Sequence, residues 1–177
     1  MVEPQVFVDS RGFFFEAYSK DMFDKGVGCK VDFVQDNQSR SIRGVIRGLH
    51  FQRGRHAQAK LVSCIEGRVL DVAVDLRPGS PTLYRYVAVE LSAENHRSLF
   101  IPRGFAHGFA VLSDTAVFQY KCDNYYCPQA EGGISILDPK LRIDWKINFS
   151  EAILSDKDFE LPFLSKIELP WTADEIS

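Results

Sequence analysis

The chain has 177 residues, of which 45% are hydrophobic and 25% are charged. This length and composition fit one globular domain over residues 1–177 with a sizeable core. The formal net charge is −3, so no overall positive field attracts nucleic acid or an anionic membrane, and an anionic ligand needs a local cationic pocket. Residues 1–12 lack a basic segment followed by an apolar run, and charges interrupt every later apolar stretch. A cytoplasmic protein without a membrane span is therefore expected.

The first predicted element is a short helix over residues 19–25, because Ser19 can cap its start and Gly26 can end it in a left-handed turn. The following segments are short, rich in β-branched and aromatic residues and separated by turn residues, which predicts strands. These strands cover residues 31–35, 44–51, 58–66, 68–76, 84–91, 97–101, 107–112 and 116–122.

The segment 68–76 (RVLDVAVDL) alternates in a way that predicts one core-facing side. Its Leu70, Val72 and Val74 fall on one face, which must be core, while Asp71 and its alternating partners fall on the other. The sequence RPGSP that follows blocks a helical crossover, so neighbouring strands are expected to be antiparallel in an all-β sandwich or barrel. Near the C-terminus, Ser155 and Pro162 bracket a predicted short helix on the outside or at the mouth of this barrel.

Four cysteines are present without a C-x-x-C pair, and no disulfide framework is expected in a chain that lacks a signal peptide. We expect reduced thiols, with Cys64 and Cys122 inside strands. Only four histidines are present, so the position of each is informative. In the strand 44–51, alternation places His50 beside Gly48 and opposite Arg47 if no bulge intervenes. The glycines either leave room for a ligand or fill a barrel corner around a structural histidine.

The stretch 102–107 (PRGFAH) has the P-x-G-x-x-H spacing of the second cupin motif, in which a turn feeds a strand that presents an inward histidine, here His107. Metal-binding cupins also need an H-x-H pair and a later glutamate, because a divalent ion wants three or four converging ligands. Position 52 is Gln52, which leaves His50 alone in that pair. The sequence therefore predicts no metal site.

Further polar residues allow either a ligand-binding or a structural interpretation. Lys60 shares a strand face with Gln58, opposite apolar neighbours, and an inward lysine would be costly without an anion, whereas an edge lysine is solvated. Tyr120 can act as a general acid, and a later tyrosine can stack on a nucleobase, but tyrosines are also common in barrel walls. Arg11 can clamp phosphate or sit in a surface turn. The run 34–37 suits a polar ligand or an ordinary turn.

Taken in chain order, the motifs resemble the dTDP-4-dehydrorhamnose 3,5-epimerase family across nearly the whole sequence. The matching stretches are 9–16 (DSRGFFFE), 33–37 (FVQDN), 45–52 (VIRGLHFQ), 71–77 (DVAVDLR), 91–95 (LSAEN), 101–109 (IPRGFAHGF), 120–122 (YKC), 124–126 (NYY), 144–145 (DW) and 154–158 (LSDKD). This resemblance implies a cupin-type jelly-roll β-barrel with short peripheral helices. It further implies a homodimer that acts on a dTDP-sugar without a metal or other cofactor.

The resemblance also assigns roles to individual residues. It implies that His50 is the base, that Tyr120 is the acid and that Asp158 orients or charges His50; Lys60 is our candidate for holding the oxyanion. It implies that Tyr126 stacks on thymine. The other implied ligand contacts are Arg11, Glu16, Gln35, Asp36, Asn37, Arg47, His107, Glu131 and Lys157.

The sequence departs from the family pattern at a few positions that can tune which sugar fits. These are Gln38, Ser63, Arg103 and Ile136, where histidine, arginine, glutamate and tryptophan are common. Three alternatives stay open from the sequence: a relative that inverts only C3 or only C5, a metal-dependent cupin, and a sugar-binding barrel without catalysis. The last would not need both His50 and Tyr120.

Overall fold

The computed structural model describes residues 1–176 and is built mainly from antiparallel strands. Its strands are β1 (Phe7–Asp9), β2 (Gly12–Phe14), β3 (Gln35–Ile42), β4 (Ile46–Gln52), β5 (Lys60–Glu66), β6 (Arg68–Asp75), β7 (Tyr86–Ser92), β8 (Ser98–Ile101), β9 (Phe105–Val111), β10 (Thr115–Cys122) and β11 (Glu131–Gly133). Its α-helices are α1 (Lys20–Val27) and α2 (Asp156–Phe159). Within these residues, no helix has the length and apolar character that crossing a membrane requires.

Two sheets face each other. One has the order β3-β10-β5-β8 and the other β11-β4-β9-β6-β7, and every pairing between named strands is antiparallel. Apart from β6 and β7, which are consecutive and pair with each other, neighbours in each sheet are not consecutive in sequence, as in a jelly roll, where strands alternate between sheets. The predicted all-β, cupin-type jelly roll is confirmed.

Two apolar cores lie on the two sides of the five-stranded sheet. The inner core, between the sheets, includes Val69 and Ala73 of β6. The outer core includes Leu70 and Val72 and is covered by the C-terminal segment, with Trp145 at its centre. The prediction of a core-facing side for β6 is confirmed, but its other side is buried as well, because β6 lies inside its sheet with apolar layers above and below.

Several predicted boundaries were wrong. The helix α1 continues past Gly26 and ends at Gly28, whose φ of 78° is left-handed and whose N–H reaches the carbonyl of Asp24. The predicted strand 31–35 is instead irregular up to β3, which starts at Gln35 and alternates half-buried with exposed side chains. The short helix predicted after Ser155 is confirmed as α2, and Cys64 and Cys122 are buried in β5 and β10 as expected.

Simple alternation fails in β4. The pairing of β4 with β9 shifts register between Arg47 and His50. Arg47 pairs with Phe109 and His50 with His107, so both side chains face the inner space and the predicted opposite faces were wrong. A Cβ on Gly48 would lie 2.6 Å from the carbonyl oxygen of His107. The glycine therefore lets two backbones approach and leaves no ligand space of its own.

Candidate active site

The first element of the site is a bonded pair formed by His50 of β4 and Asp158 of α2. The His50 Nε2 lies 2.5 Å from the Asp158 Oδ1, across 108 positions of sequence. Ser155 caps α2 by accepting the Asp158 backbone N–H at 3.1 Å, which fixes the carboxylate beside the histidine. Burial raises the pKa of Asp158, but the hydrogen bond and charge of His50 outweigh burial and hold that pKa below its usual range. With this carboxylate ionised, it accepts the hydrogen bond from Nε2, and Nδ1 is the ring nitrogen that does not take part in this contact.

A second histidine and carboxylate lie deeper on the same wall. His107 pairs directly with His50 across β9 and β4, and its Nε2 lies 2.9 Å from the Asp71 Oδ2. Burial lowers the pKa of His107, and the charge of Asp71 offsets only part of this effect. Among residues 1–176, the Asp71 Oδ1 is buried without a hydrogen-bond partner. The pair thus holds a neutral imidazole in a fixed direction at the floor of the site.

The opposite wall, formed by the four-stranded sheet, presents Lys60 and Tyr120. The Lys60 Nζ lies 5.7 Å from the centre of the Tyr120 ring. Burial lowers the pKa of Lys60, while nearby Cys122 and Asp71 oppose this shift. Burial also raises the pKa of Tyr120, so its phenol keeps its proton at neutral pH. This wall therefore combines a desolvated lysine with a protonated phenol.

The inner face of β3 carries amides that connect this wall to the loop after β10. The Gln35 Nε2 donates to the Asn37 Oδ1 at 3.0 Å, and the Gln35 Oε1 accepts the Tyr126 backbone N–H at 3.0 Å. The Asn37 Nδ2 lies 3.8 Å from the Cys122 sulfur, and burial raises the pKa of that thiol to about 11. These contacts hold the backbone of Tyr126, in the loop that follows β10, against the inner face of β3.

Glu131 joins the rim of the site to α2. The Tyr126 hydroxyl donates to the Glu131 Oε2 at 2.7 Å, and the Lys157 ammonium pairs with the other oxygen of this carboxylate. The bond to Glu131 raises the pKa of Tyr126 to about 12. Burial raises the pKa of Glu131, but the bonds from Lys157 and Tyr126 outweigh it and lower that pKa overall. Glu131 thus holds an exposed tyrosine next to the helix that carries Asp158.

Arg47 lies at the seam between the two sheets. Its Nε and a terminal nitrogen both lie 3.1 Å from the Ser41 Oγ of β3. Its charge also acts on the Tyr120 phenol by lowering its pKa, against the larger effect of burial. A guanidinium at this position supplies positive charge beside the acid and base candidates.

Three residues predicted for the site lie outside this cluster within one chain. Asp36 points to the outer face of β3, where the Lys121 Nζ lies 3.0 Å from it. Arg11 lies at the tip of the β1–β2 hairpin and bonds Asp9. Glu16 lines a groove of about 1160 Å³ on the outer face of the four-stranded sheet. That sheet separates Glu16 from the inner face, so in a single chain none of the three reaches the His50 cluster.

Asp71 is the functional candidate that sequence reasoning did not assign. The signal was present, because alternation placed a carboxylate on the side of β6 that turns out to be buried, and His107 was already expected to point inward. Among residues 1–176, no group of three or more histidine, cysteine or acidic side chains is arranged to hold a metal ion.

The fold is that of a cupin-type enzyme, and its site places a histidine and carboxylate pair across the barrel from a lysine and a tyrosine. A family model for dTDP-4-dehydrorhamnose 3,5-epimerase matches residues 1–166. The chain belongs to the dTDP-4-dehydrorhamnose 3,5-epimerase family, whose members are isomerases, and the resemblance read from the motifs is confirmed.

Individual relatives agree with this assignment. The dTDP-4-dehydrorhamnose 3,5-epimerase of Salmonella typhimurium is 54% identical over 167 residues, which cover 94% of this chain and 90% of the relative. The crystal structure of the Elizabethkingia anophelis enzyme superposes with a TM-score of 0.89 at 56% identity, over 92% of this chain and 89% of that one. The structure of the Legionella pneumophila enzyme, solved in complex with dTDP-4-keto-L-rhamnose, superposes with a TM-score of 0.90 at 48% identity. The match covers 98% of this chain and 89% of that one.

Proposed function

We propose that this chain inverts C3 and C5 of dTDP-4-dehydro-6-deoxy-D-glucose to give dTDP-4-dehydro-L-rhamnose, in the synthesis of dTDP-L-rhamnose or a related deoxysugar. The observation that carries the proposal is the 2.5 Å contact between His50 and Asp158, set across the barrel from Lys60 and Tyr120. The reaction requires a base, an anion-stabilising group and an acid, and the pocket holds one candidate for each.

The keto group at C4 acidifies the hydrogens on both neighbouring ring carbons, because the carbanion that remains is delocalised as an enolate. In our proposal, His50 removes the proton through Nδ1, and Asp158 stabilises the imidazolium that forms. The proton of Nε2 stays on the Asp158 side throughout. Proton transfer of this kind contributes about 10²-fold to 10⁴-fold in rate.

The opposite wall supplies the charge that stabilises the enolate and the proton that returns to the ring carbon. The Lys60 ammonium lies against the Tyr120 ring and feels the charges of Asp71 and Glu131 only at a distance, so it is available to the developing enolate oxygen. Tyr120 retains its proton because burial raises its pKa, and it donates that proton to the ring carbon from the face opposite His50. Deprotonation from one side and reprotonation from the other invert the carbon, and exchange with solvent then removes the proton from His50 and returns one to Tyr120 before the second carbon is inverted.

The nucleotide is assigned to the rim. Tyr126 is half exposed and anchored to Glu131, which supports stacking of its ring on thymine. Arg47, together with Arg11 of a second copy, supplies the positive charge that a pyrophosphate requires in a chain of net charge −3, and Lys157, paired with Glu131, contributes to the rim. Gln35, Asn37 and His107 line the inner face as hydrogen-bonding partners for sugar and nucleoside. No metal or other cofactor enters this scheme.

We also propose a homodimer in which Arg11 and Glu16 act in the site of the second copy. Both belong to the N-terminal arm, and the four-stranded sheet stands between that arm and their own chain's pocket. Phe14 is 69% exposed and Val8 78%, an apolar surface that pairing across a two-fold would cover. No nucleic-acid or membrane partner is proposed, and the cytoplasmic location stays a prediction.

Turnover in deuterated water tests the proposed reaction. The chain is mixed with dTDP-4-dehydro-6-deoxyglucose and a coupled reductase, and deuterium is followed at each ring carbon by NMR. We expect product with deuterium at both C3 and C5. Deuterium at one carbon only would identify a mono-epimerase, and the absence of both turnover and exchange would contradict the proposal.

A further inference from the structure

The N-terminal hairpin projects from the molecule. Its two strands, β1 and β2, have three residues each, and all six of these residues are exposed. A two-stranded hairpin of this size is marginally stable by itself in water. Contacts elsewhere must therefore fix the direction in which its tip points.

Those contacts converge on the turn between β7 and β8. The His96 ring packs against both Phe13 and Phe15, with ring centres 4.7 Å and 4.8 Å away. Val2, which lies before β1, forms an isolated bridge with Ser98 through two backbone hydrogen bonds of 2.8 Å and 3.0 Å. His96 therefore contacts the hairpin itself, whereas the Val2 bridge holds only the segment that leads into it.

The β7–β8 turn holds His96 firmly. The Asn95 Oδ1 accepts the backbone N–H groups of Ser92 and Arg97, and its Nδ2 donates to the Glu90 carbonyl. His96 has a left-handed φ of 53°, and its N–H bonds the carbonyl of Ser92. The turn thus fixes the backbone from which the His96 side chain projects toward the hairpin.

At the tip of the hairpin, Arg11 is bonded to Asp9 of the same hairpin. Its guanidinium lies 2.5 Å from the Asp9 Oδ2, and its backbone N–H donates to the Asp9 Oδ1 at 2.8 Å. The side chain is 87% exposed. A guanidinium held by its own hairpin moves with the hairpin, so whatever orients the two phenylalanines also orients Arg11.

We propose that His96 is a positioning residue that aims Arg11 at the pyrophosphate of the nucleotide sugar bound in the second copy of the chain. The proposal rests on the proposed function and dimer. His96 touches neither substrate nor reacting atoms in this scheme, and it acts by holding the Phe13 and Phe15 rings. Because a phosphate contact binds ground state and transition state alike, its loss raises KM and spares kcat.

The test compares His96→Ala, His96→Phe and the neighbouring control Glu94→Ala in the full-length protein. Loss of two ring contacts corresponds to about a tenfold effect, so His96→Ala should raise KM about tenfold with kcat within about twofold. His96→Phe keeps an aromatic ring against both phenylalanines and should restore KM, and Glu94→Ala should leave KM unchanged. A fall in kcat of His96→Ala as large as its rise in KM would overturn the proposal. A KM of His96→Phe that stays as high as that of His96→Ala would do so as well.

A double variant separates positioning from an independent effect. Arg11→Ala combined with His96→Ala should be no worse than Arg11→Ala alone, because the arginine is the group that His96 aims. If the rise in KM of the double variant were the product of the two single rises, the proposal would be contradicted. It would also be contradicted if ultracentrifugation showed that His96→Ala acts by dissociating the dimer. If wild type fails to turn over the keto sugar, the proposed reaction falls, and calorimetric affinities for dTDP then decide the His96 proposal by the same comparison.

Discussion

The two walls of the barrel face one pocket but differ in their charge pattern. On the five-stranded wall, each histidine ring is bonded to a carboxylate, His50 to Asp158 and His107 to Asp71. On the four-stranded wall, the Lys60 ammonium lies over the Tyr120 ring, and the carboxylates of Asp71 and Glu131 act on it only through their charge, without a direct bond. A base benefits from a partner that fixes its tautomer in advance, whereas a cation that must receive a developing anion loses its effect once it is neutralised. The two walls therefore suit opposite halves of one proton transfer.

The largest expected effect comes from removing the base itself. His50→Ala should bind dTDP nearly as wild type does and lose roughly 10³-fold in kcat, because the group lost acts in the transition state. Turnover and calorimetric binding of dTDP measure the two quantities. The matched control is His56→Ala, in the 3₁₀ turn Gly54–His56 that follows β4. Near-normal turnover of His50→Ala would contradict the assignment of His50, and with it the five-stranded wall, as the source of the base.

The opposite wall is tested by removing its cation. Lys60→Met keeps an unbranched chain without charge and should lower kcat by about 10²-fold, as removal of one oxyanion-stabilising donor does. Lys121→Met is the matched control, because Lys121 lies on the outer face of the same sheet and pairs with Asp36. Equal losses in both variants would indicate a general effect of removing charge and would contradict the assignment of Lys60.

The partner of the base is expected to matter somewhat less than the base. Asp158→Asn should lower kcat by up to about 10²-fold, since an amide fixes the tautomer of His50 less well than a carboxylate. Steady-state turnover of the variant measures this loss. A variant with wild-type kcat would show that the short contact has no catalytic role.

The same variant has a signature in stability against pH. The pKa of Asp158 is depressed in the folded chain, so its stabilising effect is present above the unfolded value of about 3.9 and is lost as pH falls through the folded value. The difference in unfolding free energy between wild type and Asp158→Asn should therefore be constant above about pH 5 and shrink below about pH 4. Denaturant titrations at several pH values measure it, and a difference that grew on acidification would contradict the pairing.

No effect is expected from chelation. The ring nitrogens of His50 and His107 that contact carboxylates are already engaged, and a metal would require three or four converging ligands. Activity after exhaustive dialysis against a chelator should equal that of the untreated protein. A loss of activity that one added metal restores would favour the alternative of a metal-dependent cupin.

Much of the barrel was predictable from residue patterns alone. Between residues 44 and 122, alternating apolar residues and strong turn signals mark strands close to those observed. β3 was missed because both its faces are polar, one toward the pocket and one toward solvent, which removes the apolar alternation that marks a strand. β1, β2 and β11 have three residues each, too few for a periodic signal.

The site was less accessible to residue patterns. His50 and Asp158 are separated by 108 positions, and no local periodicity relates such positions, so their pairing came only from the family resemblance. His107 and Asp71 are 36 positions apart and were not linked, because the burial of the second face of β6 depends on the opposing sheet. The placement of Asp36 on the outer face shows that a matching motif position does not fix the direction of a side chain.

The central claim, that the two walls carry opposite halves of the proton transfer, is tested most directly with Tyr120→Phe. The change removes the phenolic hydroxyl and leaves His50 and Asp158 in place, so deprotonation should continue while reprotonation from the other face fails. The variant is incubated with substrate in deuterated water, and exchange at the ring carbons is compared with formation of inverted product. We expect continued exchange with inversion slowed by about 10²-fold or more. Equal loss of exchange and inversion, with dTDP binding intact, would contradict the division of roles between the walls.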